Sequence, residues 1–394
     1  MAEAQPIRLG IAGLGLAGAM MIRAARVHPR IVLAAAADPL PRPRDAFARD
    51  FNAATYTDFR ALCEDASVEA VYIGTPHQFH AEHASLALAH GKHVVVEKPL
   101  ALTLEACDRV IEAAERHPAQ HLIVGHTHGF DANIRALRRL VVSGALGRLA
   151  MISTFNYTDF LYRPRRPEEL DTARGGGILF NQVSHQIEIV RSIGGGLVRS
   201  VRANVGILDP ARPTEGNCLA FLEFEDGAAA SLLYSAYDFF DSDELHGWIA
   251  EGGNVKPPTQ HGQSRRALST GVVPEAERQR DLGYGGRLLP VEQPHLPHFG
   301  LLFVSCERGD LRLSPDGLSL YGPDGRREIA VPRGVGRPGQ GDALDALWGA
   351  LREGRRDGHD ARWGKATLEV VLAMLRSARE RREIALSCQV ALRD

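Results

Sequence analysis

The sequence predicts an α/β fold in two parts: an N-terminal domain on a parallel sheet with helices on its faces, and a C-terminal α+β domain with a large, mostly antiparallel open sheet. Three observations predict it. A chain of 394 residues exceeds one ordinary core and suggests two domains. From Ile7 to about Thr127, short apolar β-rich runs alternate with amphipathic helical stretches, the rhythm of helix-covered parallel strands. After about Asn156 the rhythm changes to longer strands separated by turn signals. The division falls at residues 1–127 and 128–394.

Strands are expected at Ile7–Ala12, Ile31–Ala37, Val68–Gly74, His93–Val96 and His121–Gly125, each nearly continuously apolar as buried parallel strands are. Helical patterns lie between them at Ala17–Val27, His80–His90 and Leu104–His117, the last opened by Thr103. In the second part, Leu219–Phe224 and Ala228–Ser235 flank Asp226-Gly227 and read as a hairpin. Pro315-Asp316-Gly317 and Pro323-Asp324-Gly325 mark further turns. Helical periodicity returns at Ala343–Arg352 and Lys365–Glu380, helices that are expected to pack back on the first domain. The stretch from Asp238 to His298 is polar and weakly periodic; segments of that kind serve function, form an oligomer arm or move.

Charge balance narrows the partners. With 46 Lys and Arg against 48 Asp and Glu there is no general basic field for nucleic acid or an anionic membrane, so any anion recognition is local. Five scattered cysteines without a C-x-x-C pair argue against a disulfide framework or a zinc site, and fit a reducing cytoplasm. The N-terminus carries no signal pattern and no apolar run reaches the length of a membrane span, so no targeting or anchoring is expected.

The first strand ends in Gly13-Leu14-Gly15-Leu16-Ala17-Gly18. This G-x-G-x-x-G lies where a strand turns into a helix: Gly13 permits the tight turn, Gly15 lets the backbone approach a pyrophosphate, and Gly18 allows close helix–strand packing. The N-H groups of the helix N-terminus complete an anion site. A Rossmann dinucleotide-binding domain follows. Asp38 ends the second strand, where a carboxylate accepts the adenosine ribose hydroxyls and repels a 2'-phosphate, favouring NAD over NADP. Arg42 and Arg44 follow closely and offer a phosphate grip instead.

Four further segments resemble the glucose-fructose oxidoreductase and inositol dehydrogenase family, Gfo/Idh/MocA. They are Gly74-Thr75-Pro76-His77 with His80, Glu97-Lys98-Pro99, Val124-Gly125-His126, and Gly175-Gly176-Gly177 leading to Asn181 and His185. The resemblance implies a nicotinamide held between the two domains, with Thr75, Pro76, His77, His80, Glu97 and Lys98 on the cofactor. The runs Tyr162 to Thr172, Leu179 to Gln186 and His298 to Glu307 are similar to dehydrogenases of phthalate 4,5-cis-dihydrodiol, as is the long insertion. That subgroup implies oxidation of 4,5-dihydro-4,5-dihydroxyphthalate to 4,5-dihydroxyphthalate, and the family resemblance implies a homo-oligomer, a dimer or tetramer formed through the open sheet.

As the family's lysine does, Lys98 would hold the reacting hydroxyl and stabilise developing alkoxide charge, while Glu97 fixes the nicotinamide ribose. His185 on a seemingly amphipathic helix is by itself as easily a core histidine; the family pattern makes it the general base. Asn181, one helical turn earlier, faces the same side, and stands where sugar and inositol enzymes commonly carry aspartate. It can orient a hydroxyl but cannot relay a proton. Arg163, Arg165 and Arg166 precede the Gly-rich run and suit a dicarboxylate diol through bidentate guanidinium pairing; the bland alternative is a solvated loop balanced by Glu168, Glu169 and Asp171. The pairs His77/His80, His126/His128 and His295/His298 lack a carboxylate or cysteine to complete a metal set, so no metal is expected. Competing readings are a sugar or inositol dehydrogenase, an NAD-dependent glycosidase, and a non-enzymatic dinucleotide sensor on the same fold.

Overall fold

A computed structural model describes the chain except for residues 1–4, 126, 260, 272, 287–292, 335–337, 356–357 and 394. His126, one of the residues of the family resemblance, lies outside the described residues. The first sheet comprises β1 (Ile7–Ala12), β2 (Ile31–Ala37), β3 (Ala54–Tyr56), β4 (Ala70–Ile73), β5 (His93–Glu97) and β6 (Leu122–Gly125), all parallel, in the order β3-β2-β1-β4-β5-β6. Helices α1 (Leu16–Val27), α2 (Pro41–Phe51), α3 (Phe59–Glu64), α4 (His80–Ala89) and α5 (Leu104–Arg116) connect the strands. Thr103 caps α5 by accepting from Ala106 N. Strand order reverses between β1 and β4, and ligands of such sheets bind outside the carboxyl ends at that switch point.

The second sheet has nine strands in the order β14-β13-β12-β11-β7-β10-β9-β8-β15. They are β7 (Leu149–Tyr157), β8 (Val198–Gly206), β9 (Asn217–Phe224), β10 (Ala229–Ser235), β11 (Leu301–Cys306), β12 (Gly309–Ser314), β13 (Gly317–Gly322), β14 (Gly325–Ala330) and β15 (Ile384–Ala385). Among the described residues, only the central β7–β10 pair of this sheet is parallel. Helices α6 (Ala132–Val142), α7 (Ser184–Ile193), α8 (Gln263–Ser269) and α9 (Glu275–Arg280) belong to this half, followed by α10 (Gln340–Glu353) and α11 (Ala361–Glu380). One face of the sheet is covered, and the other stays open. Leu301, Phe155, Leu233 and Leu219 stand side by side across β11, β7, β10 and β9 on that open face, with Phe221 and Phe303 half exposed beside them.

Both C-terminal helices do pack back on the first sheet. Leu344, Leu347 and Trp348 of α10 share one core with Ile7, Leu9 and Met21, while Leu368 and Val371 of α11 join the core of Val96, Val110 and Val124. Among the described residues, no helix is long and apolar enough to cross a membrane.

One expectation fails. The helix carrying His185 is not amphipathic: every residue of α7 is buried. Its charges point inward and are paired, Glu188 accepting from Trp363 Nε1 at 2.7 Å and Arg191 donating to Thr367 Oγ1 at 2.7 Å. Asn181 lies before it on a π-turn, Leu179–Val183, rather than on the same regular helix.

Candidate active site

A cleft of about 570 Å³ opens between the carboxyl ends of the parallel strands and the covered side of the second sheet. The Gly-rich turn forms one wall. Gly13 has φ +84°, and a side chain there would strike Gly74 O at 2.6 Å, so only glycine serves. Gly15 meets nothing within 4 Å where a side chain would project, leaving the backbone bare to the cleft. Gly18 lies hard against the Gly13 carbonyl. No side chain caps α1, so its first N-H groups beside Leu16 and Ala17 remain for a ligand. Asp38 accepts from Leu14 N at 2.7 Å and Leu40 N at 2.8 Å, which binds the end of β2 to the Gly-rich turn. Arg44 donates to the Asp38 carbonyl at 2.6 Å, and Arg42 turns to Asp281 at 3.8 Å.

The loops after β4 and β5 are joined by His80, whose ring nitrogens lie 2.7 Å from Pro99 O and 2.7 Å from Thr75 O. Burial lowers the His80 pKa, and a neutral ring donates to only one of these carbonyls. His77, held well below the ordinary histidine range by burial, has Nδ1 2.9 Å from Gly175 O and so links the Pro76 loop to the second domain. Glu97 accepts from Tyr72 OH at 2.7 Å. The Lys98–Pro99 peptide is cis. Lys98 Nζ donates to the backbone carbonyl of Asn181 at 2.5 Å, and burial lowers its pKa from the ordinary 10.5.

Asn181 spends its side-chain amide on Gly177 O at 2.7 Å, fixing the Gly-rich run. His185 lines the cleft with its ring edge-on to His128, centroids 4.8 Å apart, and 5.2 Å from Phe299. All three predicted arginines reach the cleft, yet each already has an acid. Arg163 donates to Asp159 Oδ1 at 2.7 Å, Arg165 to Glu169 Oε1 at 3.3 Å while lying 3.8 Å over the Phe160 ring, and Arg166 to Glu169 Oε2 at 3.2 Å. Glu168 and Glu169 therefore balance this loop as the bland alternative requires; Asp171 instead caps Ala173 N.

Comparison with known proteins identifies the family. Residues 7–126 match the model of the GFO/IDH/MocA oxidoreductase family, NAD-binding Rossmann fold, and residues 134–246 match its C-terminal domain. A 1-carboxy-3-chloro-3,4-dihydroxycyclohexa-1,5-diene dehydrogenase of Comamonas testosteroni is 40% identical over 378 residues, 94% of each chain. The chain belongs to the Gfo/Idh/MocA family. It is an NAD-dependent oxidoreductase. Within the family, a protein of Bordetella bronchiseptica RB50 assigned as a dehydrogenase has a structure with TM-score 0.93 at 47% identity, covering 97% of this chain and 100% of that one. Inositol 2-dehydrogenase 2 of Saccharopolyspora erythraea is 32% identical over 187 residues, 47% of this chain and 53% of its own.

For a Gfo/Idh/MocA enzyme the residues present fit NAD. The bare Gly15 backbone and uncapped α1 amides suit a pyrophosphate, and the Asp38 carboxylate ends β2 beside them, bonded to Leu14 N. Several cleft residues escaped the sequence reading. Tyr72, which holds Glu97, looks like an ordinary strand residue. His128 reads from the sequence only as half of a histidine pair without a metal set; in the structure it bonds Asp131 and its pKa is raised to about 10, burial being outweighed by Asp131 and Glu251. Glu251 and the helix α9 come from the aperiodic insertion, where no pattern marks them. That insertion spans the cleft: Glu275 accepts from Arg165 N at 2.8 Å and Arg212 at 2.9 Å, while Tyr284 N donates to Leu14 O at 2.8 Å and its hydroxyl to Asp50 at 2.9 Å.

Proposed function

We propose that this enzyme oxidises a carboxylated cyclic dihydrodiol with NAD, removing hydride from one carbinol carbon and a proton from its hydroxyl. The observation that carries the reading is the convergence of half-buried Lys98, buried His185 and the charged side chains of Arg163 and His128 on one cleft beside the Gly-rich turn. The similarity to a dehydrogenase of a carboxylated dihydroxycyclohexadiene along nearly the whole chain supports the substrate class. That relative's substrate carries one carboxyl and a chlorine, so the support extends to carboxylated dihydrodiols in general; 4,5-dihydro-4,5-dihydroxyphthalate is the best candidate among them.

Lys98 holds the alcohol oxygen with its ammonium and stabilises negative charge as the C–H bond breaks. Its bond to the Asn181 carbonyl aims it, so Asn181 serves as a positioning residue through its backbone. His185 takes the hydroxyl proton. Bound NAD supplies the hydride acceptor. The first product is a ketone whose tautomerisation gives an aromatic diol, and this driving force lowers the demand for acid–base help.

NADH formation at about 340 nm, the absorbance of any reduced nicotinamide, across carboxylated and neutral dihydrodiols and polyols tests the proposal. Turnover confined to polyols would overturn it in favour of the inositol-type reading. That second reading draws on one observation: the three arginines already have acidic partners, so a dicarboxylate does not meet three free cations.

A further inference from the structure

Two cations of the cleft direct a second nitrogen at the same carboxylate. His128 is bonded through Nδ1 to Asp131 at 2.8 Å, and Arg163 through Nε to Asp159 at 2.7 Å. Each then meets Glu251 at longer range: His128 Nε2 lies 3.4 Å from Oε1, and Arg163 Nη1 3.7 Å from Oε2. Burial would raise the Glu251 carboxyl, but the His128 bond and the charges of Arg163, His128 and Lys98 hold it at about 2, so it is ionised.

Glu251 is built to stay on the turn and move its head. Gly253 N donates to Ala250 O, Ala250 N to Asn254 O, His295 N to Gly253 O, and Gln293 Nε2 to Gly252 O, fixing the backbone. The Glu251 side chain, 37% exposed, lines the cleft. Asp131, which is buried, and Asp159, which is half-buried, are partners at full contact distance. Glu251 is the loosely held one.

Resting on the reading of a carboxylated diol, we infer that Glu251 occupies the subsite of the substrate's ring carboxylate and is displaced from Arg163 and His128 by rotation of its side chain when substrate binds. His128 and Arg163 each keep one firm acid, and Glu251 adds a second, more distant counter-charge that the cleft can exchange for a substrate carboxylate. Two carboxylates cannot share the subsite cheaply. A substrate carboxylate that approaches both nitrogens at normal hydrogen-bond length outcompetes Glu251, whereas a neutral diol leaves Glu251 in place and gains nothing from the cations. The self-occupied site thereby selects for anionic rings.

Calorimetric titration of the NAD-loaded enzyme with benzoate tests this without turnover. In Glu251→Gln and Glu251→Ala, benzoate should bind roughly fivefold or more tighter than in the parent, because the competent site no longer has to be vacated. Benzyl alcohol, which lacks the charge, should bind equally to all three. Unchanged or weaker benzoate binding in both variants overturns the inference, as does absence of benzoate binding throughout. A structure of the parent enzyme with benzoate gives a second readout: Glu251 turned away from His128 and Arg163 supports displacement, and Glu251 still paired with both refutes it. If benzoate binds as described but no dihydrodiol is oxidised, the functional proposal fails while this subsite stands.

Discussion

The Lys98 ammonium is bonded to the backbone carbonyl of Asn181 at 2.5 Å, so the loop that ends β5 is tied to the π-turn that precedes α7. A cation from the first sheet is thus aimed by the second domain. Lys98→Ala should lower kcat by on the order of a hundredfold or more while leaving NAD affinity within about twofold, since the ammonium acts on transition-state charge. Stopped-flow turnover and fluorescence titration of NADH check the two halves of that statement. Equal losses in both would make Lys98 a structural residue.

Asp38 should give NAD a kcat/KM at least about tenfold above that of NADP, because its carboxylate repels a 2'-phosphate. Asp38→Ala should narrow the ratio and also raise KM for NAD, since the same carboxylate holds Leu14 N and Leu40 N. Parallel kinetics with both cofactors decide it; a parent preference for NADP would transfer the role to Arg42 or Arg44.

His128 makes folding pH-dependent. Its folded pKa stands at about 10, above the ordinary 6.5, so its stabilisation is complete below pH 6.5 and is lost as pH rises through about 10. Urea midpoints of the parent should fall across that window by the equivalent of a few kcal/mol at most, and those of His128→Gln should fall less. Parallel curves for the two proteins would remove His128 as the source.

Among the arginines, Arg163 combines a firm partner with a second nitrogen facing the cleft, whereas Arg165 is stacked over Phe160 and bonded to Glu169. Arg163→Ala should cost roughly 2 to 4 kcal/mol in kcat/KM for a carboxylated diol and much less for its neutral analogue. Arg165→Ala is expected to lower thermal stability and to affect both substrates alike. Selectivity assays on the paired substrates separate the two; equal losses with Arg163→Ala would make that arginine structural as well.

The open face of the second sheet should bury itself against a second copy of the chain, given its row of Leu301, Phe155, Leu233 and Leu219 beside Phe221 and Phe303. Phe221→Glu should shift the mass measured by light scattering toward the monomer without loss of secondary structure. A parent enzyme that is monomeric at micromolar concentration would sink the idea.

Legibility in the sequence followed periodicity. β1, β2 and α1 lie within a residue of their expected limits, because buried parallel strands and a Gly-rich turn leave strong patterns. The region from Pro41 to Glu64 was not divided into elements, for β3 has three residues and α2 opens on Pro-Arg-Pro-Arg, which reads as loop. α7 was misread as half-solvated because Glu188 and Arg191 look like a polar face, whereas Trp363 and Thr367, far along the chain, supply their buried partners. The Gly-rich turn, Thr75 and Lys98 follow the ends of β1, β4 and β5, which the apolar runs mark, whereas Glu251 is placed by tertiary contacts of an aperiodic loop that no pattern marks. The arginine run was legible as a cluster, but the pairing of Arg163 with Asp159 and Glu251 was not.

The packing of α10 on α1 bears on how the chain is made. Leu344, Leu347 and Trp348 complete the core around Ile7, Leu9 and Met21, so part of the outer layer of the first sheet comes from far along the chain. While the polypeptide emerges from the ribosome, the dinucleotide half has its strands and its Gly-rich turn but an uncovered apolar flank. That flank is sealed only when α10 docks, so the dinucleotide half carries exposed apolar surface until residues beyond 340 are in place.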